Sequence, residues 1–414
     1  MEFALPEHLP AVLGEMDTFI EREIRPLELS NIQYFDHRRE FARTDIERGG
    51  VPAGEWEDLL AEMRSRADRA GWLRYGLPAS VGGRGGSNLD MAVIREHLAA
   101  KGLGLHNDLQ NESSIVGNFP RVIMMERFGT AEQRRDWSEA LITGERAMAF
   151  GLTEPGHGSD ATWLQTSARR TSGGWLINGS KRFMTGVHQS SHAVIFARTS
   201  GEPGQARGIT AFVVPTDAPG FDVPFYWWTF NMPSDHGEVE LREVYVHESA
   251  VLGELDRGLD VAQTFLHENR IRQAAASLGA AQYCIDQAVE YASERMVFGK
   301  ALAVNQAIQW PLVELQTEAQ MVRLLVHYTA SQLDRKPHME VSDKVAMANY
   351  RANRLVCEAA DRAMQVFGGL GYTRHQPFEH IYRHHRRYRI TEGSEEIQIR
   401  RIAQRMFDFG RASR

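Results

Sequence analysis

Phe150-Gly-Leu-Thr-Glu-Pro-Gly-His-Gly-Ser-Asp160 stands where the chain changes its hydrophobic period. Before it the pattern is helical. Apolar residues recur at helical spacing over 59–70 and 90–100, and Gly/Pro-rich joints such as Leu77-Pro-Ala-Ser-Val-Gly-Gly-Arg-Gly-Gly86 interrupt them. That joint reads as a loop, since its glycines lack the spacing of a dinucleotide fingerprint. From residue 147 to 253 the chain turns to short runs of strand formers, at 164–170, 175–178, 193–198, 209–215 and 238–246. Thr171-Ser-Gly-Gly174 reads as a hairpin turn. Strands recurring without intervening helices predict a small antiparallel unit, not a nucleotide-binding parallel sheet.

Longer helices follow. One apolar stripe runs through Ile271, Ala274, Leu278, Ala281, Ile285, Ala288 and Ala292. A second runs through Ile308, Leu312, Leu315, Ala319, Val322, Val326 and Leu333, and further helices are expected over 342–367 and 395–409. The expected fold class is α+β: an N-terminal helical domain (1–146), a central antiparallel β-barrel or sandwich (147–256) and a C-terminal four-helix bundle (257–414).

With 414 residues, 43% hydrophobic and 24% charged, the chain can bury a large core. A net charge of -7 argues against nucleic acid and anionic lipid as partners. Cys284 and Cys357, the 2 cysteines, support neither a disulfide framework nor a thiolate metal cluster and imply a reducing, cytoplasmic setting. Glu2, Glu7 and Glu15 do not suit a signal or transit peptide. No apolar run is long enough to cross a bilayer, and Ala412-Ser413-Arg414 is not the peroxisomal tripeptide.

P-loop, nucleophile-elbow and His-Glu-x-x-His motifs are all lacking. His375, His380, His384 and His385 match no standard metal spacing, so solvated or carboxylate-paired histidines are expected and no metal is assigned. The basic run from Arg383 to Arg389 is expected to form structural ion pairs. The loop at 150–160 exposes backbone N–H groups and hydroxyls able to hold a polar, planar or anionic ligand, although by composition alone it reads more often as a plain turn.

That loop resembles the first signature of the acyl-CoA dehydrogenase family, and Leu176-Ile-Asn-Gly-Ser-Lys-Arg-Phe-Met-Thr-Gly186 resembles its second flavin segment. Glu294-Arg-Met-Val-Phe-Gly-Lys300 with Gln306, Gln365-Val-Phe-Gly-Gly-Leu-Gly-Tyr372 and Ile390-Thr-Glu-Gly-Ser-Glu-Glu-Ile-Gln398 follow in the family's order. The resemblance implies that Phe150, Leu152, Thr153, Gly158 and Ser159 line one side of FAD, with Phe183 and Thr185 on the other. The family usually has Trp at the position of Phe183, so an aromatic wall is kept and an indole N–H lost. It also implies that Arg295, Phe298, Gln306, Gln365, Gly368, Gly369 and Ser394 hold FAD, in part that of a neighbouring subunit, and hence a homo-oligomer, dimer or tetramer. Read alone, Arg295 is a solvated helix-end arginine.

Glu392 occupies the place of the family's catalytic base. Polarising a thioester carbonyl eases loss of its α-proton to a carboxylate, and the β-hydrogen leaves as hydride to flavin N5. By composition alone Glu392 is a surface residue before the N-cap Ser394. Glu268 is a second candidate; the helix position some relatives use falls on Asn269, which cannot serve as a base. Ser159, Arg270 and Gly393 are the expected substrate contacts, with Arg270 alternatively a helix-surface charge. His157 and Trp163 are bulkier than the family pattern, and Glu395 sets a negative charge where a neutral residue is usual. Trp227 and Trp228 read as substrate contacts, a buried strand pair or an interface.

The implied function is FAD-dependent oxidation of an acyl-CoA to its 2,3-enoyl-CoA, with electrons passing to an electron-transfer flavoprotein. Alternatives on the same scaffold are a flavin oxidase of an acyl-CoA or nitroalkane, and a flavin-binding protein with a non-catalytic role. Glu392 in place of the Asp expected of a nitroalkane oxidase disfavours that case, and retention of Glu392, Thr185 and Ser159 disfavours the non-catalytic one.

Overall fold

A computed structural model describes residues 5–109 and 113–408. The expected helix end at residue 409, the C-terminal tripeptide and Glu2 lie outside the described residues. The first helices are α1 (Leu9–Phe19), α2 (Arg25–Ser30) and α3 (Arg39–Ala42). A small ladder of β1 (Thr44–Asp45) and β2 (Val51–Pro52) precedes α4 (Gly54–Arg69), α5 (Asn88–Ala99), α6 (Pro120–Phe128) and α7 (Ala131–Thr143). Local chemistry sets several of these ends. Ser87 with Asp90 forms a capping box on α5, Thr130 with Gln133 forms another on α7, and Gly144 closes α7 at φ 80°.

The central strands are β3 (Met148–Gly151), β4 (Ser167–Thr171), β5 (Gly174–Thr185), β6 (His192–Arg198), β7 (Ile209–Pro215), β8 (Phe221–Tyr226), β9 (His236–His247) and β10 (Val251–Leu252). They form an 8-stranded sheet in the order β10-β7-β6-β4-β5-β9-β8, with β3 on β6. Pairing is antiparallel except for β3 and β4 against β6. Trp175, Ile177, Met184, Ile195, Phe212, Val239 and Val244 form its core.

β7 matches its expected span residue for residue, whereas β5 continues seven residues past the expected end at 178. Polar Lys181 and Arg182 hide that extension, and two register shifts against β9 bend it. At Gly179 (φ 148°) a Cβ would meet Thr166 Oγ1 at 2.5 Å, so the strand passes there only without a side chain. β8 was not expected because Pro224 interrupts its pattern; it lies at the end of the sheet, with a register shift between Asp222 and Phe225, where proline is tolerated.

The C-terminal helices are α8 (Gly258–Glu294), α9 (Gln306–Leu333), α10 (His338–Phe367), α11 (Phe378–Arg386) and α12 (Glu395–Met406). A two-stranded hairpin, β11 (Met296–Val297) with β12 (Lys300–Ala301), joins α8 to α9. The four expected helices are present, and α11 is added where its many histidines and arginines obscured the apolar face of Phe378 and Ile381. The α8 stripe is buried throughout, and α10 packs on α9, α11 and α12. By contacts the chain divides into one unit of Met1–Arg39, Leu59–Asn118 and Asn269–Arg414, and a second of Glu40–Asp58 and Phe119–Glu268.

Candidate active site

In the sheet-containing unit, parallel pairing with β6 carries β3 to Gly151, and the glycine-rich loop begins there. Phe150 is half-buried, stacked on Phe265 at 4.1 Å. Glu154 anchors the loop: its carboxylate accepts from Gln165 N (2.6 Å), Thr166 N (2.9 Å) and Lys181 Nζ (2.7 Å). Burial alone would raise this carboxyl, but Lys181 and the two amides bring it below its ordinary range. Arg182 N donates to Thr153 O at 2.8 Å, which joins the first signature segment to the second. Leu152 and Thr153 are half-buried, and Gly158 and Ser159 are exposed. His157 pairs with Asp160 at 3.0 Å, and Trp163 is exposed.

In β5 the side chain of Arg182 forks onto Glu238 at 3.0 Å through both Nε and Nη2, and Trp227 Nε1 donates to the same carboxylate at 2.8 Å. Phe183, at φ 56°, turns an exposed ring toward Trp227, with centroids 5.6 Å apart. Trp228 is exposed and bonds Gly49 O at 2.9 Å. Thr185 Oγ1 lies 3.2 Å from His236 Nδ1, and that nitrogen lies 2.9 Å from Asp235 Oδ1.

In the helical unit, Glu392 takes φ 51° and Gly393 φ 92°, so the chain reverses between α11 and α12. Arg270 holds that reversal by donating from Nε (2.8 Å) and Nη2 (2.5 Å) to Glu392 O. It is 5% exposed and therefore not a helix-surface charge; burial, then Arg401, lowers its pKa to about 10. Gln273 Nε2 donates to Glu392 Oε2 at 2.7 Å. Asn269 is buried, its Oδ1 3.3 Å from Asn118 Nδ2, and Glu268 is half-buried.

The hairpin after α8 turns at Phe298 (φ 49°) and Gly299 (φ 75°), the two-residue geometry that fits the strand twist. Arg295, Phe298 and Gln306 are exposed there. Tyr291 stacks on Phe367 at 4.1 Å, which ties the end of α8 to the end of α10, where Gln365, Gly368 and Gly369 are exposed. Phe183, Phe298 and Glu392 are three of the non-glycine residues at positive φ, a strained state that clusters at functional sites.

Three family models cover most of the chain: acyl-CoA dehydrogenase N-terminal domain over 31–145, middle domain over 149–244 and C-terminal domain over 256–407. The chain belongs to the acyl-CoA dehydrogenase family. It is 34% identical to 3-(aryl)acrylate reductase of Clostridium sporogenes, over 88% of this chain and 95% of that one. It is 31% identical to Caffeyl-CoA reductase-Etf complex subunit CarC of Acetobacterium woodii, over 81% of this chain and 87% of that one. Butyryl-CoA dehydrogenase from Megasphaera elsdenii matches with TM-score 0.80 and 27% identity, over 98% of this chain and 100% of that one. The α+β acyl-CoA dehydrogenase fold, with helical, sheet and helical parts, is thus the fold of this oxidoreductase.

Each unit taken by itself offers groups of the kind a flavin dinucleotide needs. Phe150 and Phe183 offer aromatic surface, and the hydroxyls of Thr153 and Ser159 have no partner among the described residues. An added Cβ at Gly156, Gly158, Gly299, Gly368 or Gly369 would meet nothing within 4 Å, so the backbone is open to a ligand at each.

Two expectations need correction. His384 and His385 are neither solvated nor paired with a carboxylate among the described residues: both are buried in α11, as is His380, and burial followed by Arg387 pushes His385 down to about 3 and His384 well down. His375, by contrast, is exposed and stacks on His37 at 4.5 Å. Glu395 carries no unbalanced charge, because Arg389 (2.9 Å) and Arg354 (3.1 Å) hold its carboxyl at about 2. Arg383 pairs with Glu379 at 2.7 Å, so ion pairing accounts for both ends of the basic run.

Gln273, Asn349, His236 and the Lys181–Glu154 pair were missed. The signal for the first two was present: Arg270, Gln273 and Ser277 stand at i, i+3 and i+7 among alanines, and Asn349 and Asn353 at i, i+4.

Proposed function

We propose that this family member oxidises an acyl-CoA thioester to its 2,3-enoyl-CoA. Glu392 takes the α-proton, the electron pair of that C–H bond forms the new double bond, and the β-hydrogen departs with its electron pair. FAD, when bound, supplies the hydride acceptor. The observation that carries this reading is the hold on Glu392: Arg270 fixes its backbone carbonyl and Gln273 one carboxylate oxygen. A carboxylate so fixed can abstract a proton without first being ordered. Phe150, Leu152, Thr153, Gly158, Ser159, Phe183 and Thr185 would hold the flavin ring. Arg295, Phe298, Gln306, Gln365, Gly368, Gly369 and Ser394 would hold the rest, and Ser159, Arg270 and Gly393 would meet the thioester.

Domain limits near 146 and 256 are supported by the gaps between the three matched models. A homo-oligomer is supported by α9, where Trp310, Val313, Met321, Leu324 and Tyr328 form an exposed stripe opposite the buried one. An electron-transfer flavoprotein as acceptor is supported by the Etf complex in a relative's name. A cytoplasmic site agrees with the two unpaired, buried cysteines, and no helix among the described residues is long and apolar enough to cross a membrane.

A second reading, reduction of an aryl-substituted enoyl thioester by the same groups run backwards, is favoured by the names of the two reductases. Incubating FAD-loaded protein with saturated acyl-CoAs, and the dithionite-reduced protein with aryl-acrylyl-CoAs, separates the two by mass. Loss of two hydrogens in the first arm supports oxidation. Gain in the second alone supports reduction, and no change in either contradicts both.

A further inference from the structure

We propose that Gln273 is a positioning residue that aims the Glu392 carboxylate, as the last donor in a one-directional chain of buried hydrogen bonds beginning at His385. The inference rests on the reading of Glu392 as base. It concerns how that carboxylate is held.

The direction follows from two backbone carbonyls, which can only accept. Asn349 Nδ2 donates to Arg270 O at 2.9 Å, which fixes that amide's flip. The same nitrogen reaches Gln273 Oε1 at 3.3 Å, so Gln273 must present Nε2 to Glu392 Oε2. Asn353 Nδ2 donates to Tyr388 O at 3.0 Å and to Asn349 Oδ1 at 3.2 Å. Its Oδ1 accepts from Ser277 Oγ at 2.7 Å. With its proton spent there, the Ser277 oxygen accepts from His385 Nδ1 at 2.9 Å, which sets that tautomer.

In the series His385, Ser277, Asn353, Asn349, Gln273 each residue donates one hydrogen bond to the next and Gln273 donates to the carboxylate, while Asn353 and Asn349 each also donate to a backbone carbonyl. Those five residues are at most 1% exposed, so water does not compete for the bonds among them. Donors aligned in this way reinforce one another. Only one carboxylate oxygen is engaged: Glu392 Oε1 has no partner among the described residues and is the atom left to receive a proton. A residue on the loop between α11 and α12 thus takes its aim from α8 and α10.

Acyl-CoAs without a β-hydrogen, such as 3,3-dimethylbutyryl-CoA and phenylacetyl-CoA, can lose an α-proton but no hydride. Exchange of their α-protons in D2O, read by mass, therefore isolates the proton step in the FAD-loaded protein. Gln273→Leu is expected to slow exchange about tenfold or more at unchanged thioester affinity, since a misaimed group loses rate rather than binding. Asn349→Ser, which frees the Gln273 amide to flip, should slow it less, and serves if Gln273→Leu does not fold. Wild-type exchange in both variants, or exchange and affinity falling together, overturns the inference. Glu392→Gln should abolish exchange. If it exchanges like the wild type, the base reading falls and this inference with it. An inactive Glu392→Gln beside unaltered Gln273→Leu and Asn349→Ser overturns only the positioning role.

Discussion

Lys181 brings its ammonium to 2.7 Å from Glu154 Oε1, with the two side chains 0% and 4% exposed. The pair crosses from β5 to the glycine-rich loop, so the loop beginning at Phe150 is bolted to the strand that carries Phe183 and Thr185. Burial lowers the Lys181 ammonium to about 8, partly offset by Glu154.

Lys181→Met should destabilise the fold by about 3–5 kcal/mol, because it leaves the Glu154 carboxylate buried without its cation. Adding Glu154→Gln should restore part of the loss. Urea unfolding of the single and double variants checks this; a single variant as stable as the wild type would show that the pair does not hold the loop.

The α11 histidines predict sensitivity to mild acid. His385 has a folded value of about 3 against an ordinary 6.5, and His384 is lowered in the same direction. The unfolded chain therefore binds protons that the folded chain refuses. The stabilisation from His385 is fully present above about pH 6.5 and falls as the pH drops toward 3, by about 1.4 kcal/mol per pH unit, and His384 acts in the same direction. Thermal melts at pH 7 and 5.5 should show the loss, and His385→Gln should reduce the slope. Equal slopes in wild type and variant would contradict buried neutral imidazoles.

The exposed stripe on α9 predicts association. Met321 and Leu324 are 56% and 55% exposed at helical spacing with Trp310 and Val313. Met321→Glu with Leu324→Glu should lower the mass seen by light scattering while leaving the α-helical circular dichroism intact. An unchanged oligomer would move the interface elsewhere.

Legibility in the sequence followed how local each signal was. The run of strand formers at 209–215 gave β7 its limits, and the α8 stripe gave a buried helix, because apolar pattern and burial agree in both. Lys181 interrupts the pattern of β5 and looks solvent-bound until Glu154 is brought across to it, a pairing between residues 27 apart. The family motifs pointed to Phe183 and Glu392, but their positive φ leaves no mark in residues that are not glycine. Gln273 carried a readable polar stripe on α8, but its meaning needs Asn349 from α10 and Glu392 from beyond α11.

The proposed reaction depends on Glu392 as the base that takes the α-proton of an acyl-CoA thioester. The most direct test is the anaerobic visible spectrum of FAD-loaded protein, before and after short, medium, long, branched, aryl and steroid-like acyl-CoAs, for wild type and Glu392→Gln. At least one class is expected to bleach the wild-type flavin, and Glu392→Gln to slow bleaching by about 10²–10⁴-fold or more at similar flavin content. Equal bleaching in the two proteins would contradict Glu392 as base, and a bound flavin that no acyl-CoA bleaches would contradict oxidation of these substrates.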